Sequence, residues 1–300
     1  MQLEIRDLYK SFGEKQVLKG ISFTAKDYNA FGLLGRNGAG KTTTIRIIMD
    51  VFSCDGGEVL LDGKPIDCNK IKIGYLPEER GLYPKKHIFS QLVYFAALKG
   101  MSKKEAEKSV NYWLERLEMT EYKNKKLETL SKGNQQKIQL ITALAHNPQI
   151  IILDEPFSGL DPVNAMLLKD VVKEEIAKGK IVIFSSHQMN YIEEFCNEIA
   201  IITDGQIALS GDISEIKRNY RRDKLIIRST QNTRILNNFK NCKPFEKDSI
   251  ILTLASPDDK KQVMETLTEQ YDIDEIKVYE PSLNDIFIEY AGDSNKEVQR

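Results

Sequence analysis

Short, unbroken apolar runs recur along the chain at residues 31–34, 150–153 and 181–186. Runs of that length with almost no polar position predict strands buried on both faces, as in a parallel sheet. Apolar residues at helical spacing follow or separate them, at 43–49, 88–117, 131–147 and 162–179. The alternation predicts an α/β fold. At the start, 2–9 and 17–25 read as strands around a turn at Ser11-Phe12-Gly13-Glu14. Residues 58–61 and 64–66 form a hairpin through Asp62-Gly63, and 199–203 and 206–210 another through Asp204-Gly205. A strand at 71–76 runs into the polar loop Pro77-Glu78-Glu79-Arg80-Gly81-Leu82-Tyr83-Pro84.

Between about 79 and 147 the pattern is helical, with a capping box at Ser102 and Glu105 opening its second helix. This block interrupts the α/β order and reads as an inserted helical subdomain. The charged stretch 219–224 marks a boundary, set at 220/221. Beyond it the order is strand (225–228), helix, strand (250–254), helix (258–270), strand (276–279), helix (283–290). That is a small α+β unit of the ferredoxin-like, split βαβ kind. It holds no motif, so it is expected to be dispensable for ligand binding. The polar tail from Asp293 is expected to be frayed.

Composition narrows the picture. Lys and Arg total 43 against 44 Asp and Glu, which argues against a nucleic-acid scaffold. The four cysteines lie far apart and form no C-x-x-C pair, so reduced thiols in a cytosolic protein are expected. Neither a secretory leader nor an apolar run of the roughly 20 residues that span a bilayer is visible.

The chemistry concentrates at Gly35-Arg36-Asn37-Gly38-Ala39-Gly40-Lys41-Thr42-Thr43, between a predicted strand and helix. It matches the phosphate-binding loop G-x-x-x-x-G-K-[ST]. Glycines allow successive N–H groups to turn inward as a nest for phosphate oxygens, and the helix dipole adds attraction. Lys41 reaches terminal phosphates and the Thr42 hydroxyl ligates Mg²⁺. Asp154-Glu155-Pro156 stands at the carboxyl end of a buried strand, where parallel sheets bind ligands. Asp154 suits Mg²⁺, and Glu155 suits a base or a group that orients water. His187 follows the next strand; a lone histidine there is structural or belongs to the same site. Two readings stay open for Phe12, a surface-packed turn residue or a flat platform for a base. Two also stay open for Ser131-Lys132-Gly133-Asn134, an ordinary helix cap or a second anion site.

In this order, the phosphate loop, Leu130–Gln136, the strand ending Asp154-Glu155, Ser158-Gly159-Leu160-Asp161 and His187 resemble the nucleotide-binding subunit of ABC transporters. The resemblance covers about residues 2–220. The C-terminal unit, with Pro281-Ser282-Leu283-Asn284-Asp285-Ile286-Phe287, resembles the accessory domain of ATPases of ABC-2-type exporters, sodium- and drug-extrusion ATPases among them. The resemblance implies a P-loop NTPase core, a mixed sheet in a RecA-like lobe with a helical insertion. It implies a homodimer that sandwiches two Mg-ATP head to tail, peripheral on the inner membrane face beside a separate integral membrane permease. Phe12 then stacks adenine, and Ser131, Gly133 and Asn134 meet the nucleotide across the dimer. Glu155 becomes the catalytic base and His187 the γ-phosphate sensor. Thr42, Asp154 and Glu78 face the metal.

This chain departs from the family in two places. Glu78 stands where the family usually has Gln, and Lys132 and Asn134 stand where the signature usually has Gly and Gln. A soluble ABC ATPase acting on ribosomes or DNA is the alternative, but such proteins usually carry two cassettes or a long coiled-coil insertion. A nucleotide-binding regulator without turnover would require Glu155 and His187 to be silent.

Overall fold

In the computed structural model, which describes residues 1–79, 81–186, 188–220 and 223–292, β1 (Gln2–Phe12) and β2 (Lys15–Lys26) pair antiparallel. β3 (Ala30–Gly35) is buried along its whole length and leads directly into the loop before α1 (Lys41–Ile48). β4 (Gly56–Leu61) and β5 (Lys64–Pro65) extend the first pair into a four-stranded antiparallel sheet, β2-β1-β4-β5.

The second sheet begins with β6 (Ile73–Leu76), and three helices follow it: α2 (Ile88–Leu98), α3 (Lys103–Arg116) and α4 (Lys132–Leu144). They bury Ile88, Leu92, Val110, Trp113, Leu114, Ile138 and Ile141. The chain then returns through β7 (Ile150–Asp154), α5 (Pro162–Ala177), β8 (Ile181–Ser185), α6 (Met189–Phe195), β9 (Cys196–Thr203) and β10 (Gln206–Asp212). The sheet order is β10-β9-β3-β8-β7-β6, parallel from β9 to β6 with β10 antiparallel at one edge. β3 therefore has β9 on one side and β8, then β7 and β6, on the other. Residues of both sheets and α1, among them Leu3, Ile21, Leu33, Ile45, Ile152 and Ile183, make one apolar core. The strand ends that carry the phosphate loop and Asp154 thus rest on a packed base.

A short helix, α7 (Ile213–Asn219), opens the second region. There β11 (Lys224–Arg228), α8 (Asn232–Asn238), β12 (Cys242–Pro244), β13 (Ile250–Thr253), α9 (Lys260–Gln270) and β14 (Glu275–Val278) form a βαββαβ unit. Its antiparallel sheet has the order β12-β13-β11-β14, that of the expected split βαβ. Leu225, Ile227, Ile235, Leu252 and Leu267 form its own core. α10 (Leu283–Gly292) closes the described chain.

Compactness divides the chain into residues 1–213 together with the segment from Phe287, and residues 214–286. The sequence reading placed a single cut at 220/221. The divided arrangement arises because α10 from Phe287 onward groups with residues 1–213.

Candidate active site

Gly35 ends β3 so close to β9 that a Cβ there would lie 2.5 Å from the Ile202 carbonyl oxygen. Gly40 turns with φ +118°, and a Cβ there would lie 2.6 Å from Leu18 Cδ2. Both positions exclude side chains, and both fix the path of the loop. α1 starts at Lys41 with no side-chain cap and no acidic residue in its first turn. Its N-terminal N–H groups and dipole are therefore directed at an external anion. The Lys41 ammonium reaches back along the loop and donates to the carbonyl oxygens of Gly35 at 2.6 Å and Arg36 at 3.2 Å. Burial lowers the Lys41 pKa, while Asp154, Glu155 and Glu78 pull it up. Arg36, Asn37 and Gly38 are exposed and Ala39 is buried.

Across from the loop, Asp154 and Glu155 are only 5% and 6% exposed. Burial raises the Asp154 carboxyl above its ordinary pKa; Ser185 pulls it back, Glu78 pushes it further up and Lys41 draws it down. Tyr75, beside Asp154 on the neighbouring strand, is pushed up to about 12, first by burial and then by the Asp154 charge. Glu155 has a left-handed backbone, φ +50°. An unbranched non-glycine residue pays for that conformation, and such strain concentrates at functional sites. Its N–H donates to the Ser185 carbonyl at 2.8 Å and its Oε2 accepts from Ser186 Oγ at 2.9 Å. These bonds bend the chain away from the strand and hold the carboxylate at the strand end.

A cleft of about 700 Å³ brings these groups together. Its lining includes Gly35, Arg36, Asn37, Gly38, Gly40, Lys41, Thr42, Thr43, Glu78, Asp154 and Glu155. The volume suits a nucleotide-sized ligand. Phe12 is not among the lining residues; its ring packs edge-on against Phe52 at 5.4 Å, beneath Lys10. Ser131, Gly133 and Asn134 do not line the cleft either. Ser131 caps α4, its hydroxyl accepting from Asn134 N at 3.3 Å. Gly133 packs against Leu160, Asp161 and Asn164. His187 lies outside the described residues.

Three residues escaped the sequence reading. Gln139 of α4 is buried, and its amide donates to the carbonyl oxygens of Pro77 at 3.3 Å and Glu79 at 3.0 Å. Gln136 of the same helix donates to the Pro156 carbonyl at 3.2 Å. One helix thus braces both acid-bearing loops. The third residue is Phe287, which lines the cleft although its segment was expected to be dispensable. A glutamine at a helical position carries no sequence signal of such a role.

The donor set at the cleft is all oxygen: the Thr42 hydroxyl and the carboxylates of Asp154 and Glu78. Among the described residues no group of three or more His, Cys, Asp or Glu converges to hold a metal. Mg²⁺ is commonly held by one or two carboxylates together with substrate phosphates, and these residues fit that mode.

A strand, a glycine loop with Lys41-Thr42, a helix N-terminus and two carboxylates at the end of β7 in the same sheet define a P-loop nucleotide-binding ATPase. Residues 18–158 match the ABC transporter family and residues 211–291 match the C-terminal domain of DrrA1-3-like ATP-binding proteins. The chain is 44% identical over 293 residues to the uncharacterized ABC transporter ATP-binding protein YhaQ of Bacillus subtilis, covering 97% of this chain and 98% of that one. It is 35% identical to the linearmycin resistance ATP-binding protein LnrL of Bacillus subtilis, over 75% of this chain and 73% of that one. A bacterial ABC transporter cassette solved as a dimer superposes with a TM-score of 0.63 at 25% identity, over 70% of this chain and 98% of that one. The chain belongs to the ATP-binding proteins of ABC transporters, ATPases that hydrolyse ATP to drive transport. Among the described residues no helix is long and apolar enough to cross a membrane.

Proposed function

We propose that this chain is the Mg-ATP-hydrolysing subunit of an exporter, working as a head-to-tail homodimer beneath a separate membrane permease. The observation that carries the reading is the single cleft in which Lys41, Thr42, Glu78, Asp154 and Glu155 converge, while the N-terminus of α4 stands outside it. The loop N–H groups and Lys41 hold the phosphates. The Ser131 and Gly133 of a second copy close over the terminal phosphate, with Asn134 beside them. Asp161, which caps α5 by accepting from Val163 N and Asn164 N, ties the two sites together. Phe12 offers its exposed ring to the base from the end of β1.

Thr42, Asp154 and Glu78 would hold Mg²⁺, and the ion would supply positive charge to offset that of the phosphates. Glu155 takes the proton of the attacking water and His187 senses the γ-phosphate. The strained backbone and the Ser186 bond preset the Glu155 carboxylate for that role. Glu78 adds negative charge where the family usually has a neutral amide, which favours a tightly bound cation there and slows turnover in its absence.

The permease docks at a groove of about 740 Å³ between the sheet and the helical subdomain, lined by Val51, Phe95 and Leu98 with Lys70, Lys72 and Lys99. Val51 and Leu98 are 59% and 64% exposed, an apolar surface that a covering partner would remove from water. Docking there puts the chain on the cytoplasmic face of the membrane. Similarity to a linearmycin resistance ATP-binding protein supports outward transport. The test is to look for a reading frame beside this one that encodes a multi-spanning membrane protein and to co-express its product with the chain. Capture of that protein by tagged chain, and its loss on Leu98→Glu, supports the reading; equal capture by both contradicts it.

A further inference from the structure

We propose that Phe287, in the C-terminal helix, is a base-contacting residue of the nucleotide site. Phe287 is the aromatic residue in the lining of the cleft, where it stands with Lys15 and Val17 of β2. It belongs to the same compact unit as the phosphate loop. Two further bonds fix its place. Three residues on, the Tyr290 carbonyl accepts from Thr203 Oγ1 at the end of β9 at 3.3 Å. The turn after β9 is itself tied to the loop, since Gly205 N donates to the Ala39 carbonyl at 3.1 Å.

Sheet order then separates the two ends of the ligand. β9 flanks β3 on one side, whereas β7 and β6, which lead to Asp154 and Glu78, lie on the other side beyond β8. The carboxylates mark the terminal-phosphate end. The base and ribose must extend the opposite way, toward β9, β2 and Phe287. An aromatic face there stacks on any purine or pyrimidine, and a stack of that kind changes affinity by about tenfold or more. Phe12 stands outside the cleft lining, edge-on to Phe52, so Phe287 adds an aromatic wall within the cleft to the ring that Phe12 offers from the end of β1.

The inference rests on the cleft being the ATP site, and the experiment separates the two claims. Dissociation constants for ATP and for inorganic tripolyphosphate are measured by titration calorimetry on the full chain and on Phe287→Ala, Phe287→Tyr and Lys41→Ala. Phe287→Ala is expected to weaken ATP about tenfold and to leave tripolyphosphate within twofold, because the latter has no base. Phe287→Tyr, which keeps the ring, is expected to bind ATP within about threefold of the parent. Unchanged ATP affinity in Phe287→Ala, or an equal loss of both ligands, overturns the proposal. Lys41→Ala should weaken both ligands; if it weakens neither, the phosphate-site reading fails instead.

Discussion

The side-chain amide of Gln139 donates to the main-chain carbonyl of Glu79 at 3.0 Å, tying α4 to the loop that carries Glu78. The same amide donates to Pro77 on the other side of Glu78. Ser131 caps the start of α4, so Gln139 is one link between this helix and the Glu78 loop. Gln139→Leu keeps the bulk and removes both donors. A lost hydrogen bond of this kind is worth about 0.5–1.5 kcal/mol. Steady-state phosphate release should show turnover reduced roughly 3- to 10-fold, with ATP affinity within twofold of the parent.

Lys41→Ala should cost ATP affinity far more. The ammonium lies inside the loop, already directed at main-chain oxygens, and a phosphate oxygen is a stronger acceptor than either carbonyl. A charge-assisted bond contributes about 1.5–3 kcal/mol, so ATP should bind roughly 10- to 100-fold more weakly. Direct titration of ATP measures it.

His146 makes stability depend on pH. It is 2% exposed, and burial pushes its imidazole from 6.5 down to about 4. Its Nε2 lies 3.1 Å from the Ile73 carbonyl, a donor position, while Nδ1 has no partner among the described residues. Between pH 6.5 and about 4 the unfolded chain binds a proton that the folded chain does not. This contribution is therefore present above 6.5 and is lost as pH falls through about 4. The full loss is about 3 kcal/mol. Thermal unfolding followed between pH 7 and 4 should show the parent losing more stability than His146→Gln.

Much of this was legible in the chain because few physical rules carry it. The buried run before Gly35 and the glycines of the loop leave little freedom: only a strand entering a tight turn and a helix satisfies them. The run ending in Asp154-Glu155 is as unambiguous, since carboxylates at the end of a buried strand need a use. The βαββαβ unit was read without β12, whose three residues, Cys242–Pro244, are too short for a period to show. α6 was missed because its seven residues run straight into β9 without a breaking residue. Gln139, Gln136 and Phe287 were invisible for another reason. Their roles come from partners more than 15 residues away in sequence, and nothing local marks them. The left-handed backbone of Glu155 is equally hidden, because no sequence rule assigns that conformation to glutamate.

Glu155→Gln tests the central claim, that this cleft hydrolyses ATP with Glu155 as base. The amide keeps size and can still accept from Ser186, so the loop, Asp154 and Thr42 stay in place. It removes the oxygen that takes the proton from water, which typically costs about 10²- to 10⁴-fold in rate. Phosphate release is measured at saturating Mg-ATP, with sizing chromatography of the same samples at high protein concentration. The account predicts turnover lower by at least about 100-fold, retained ATP binding, and a dimer in Mg-ATP where the parent runs mainly as monomer. Hydrolysis at the parent rate would contradict it and would move the role of base to Glu78.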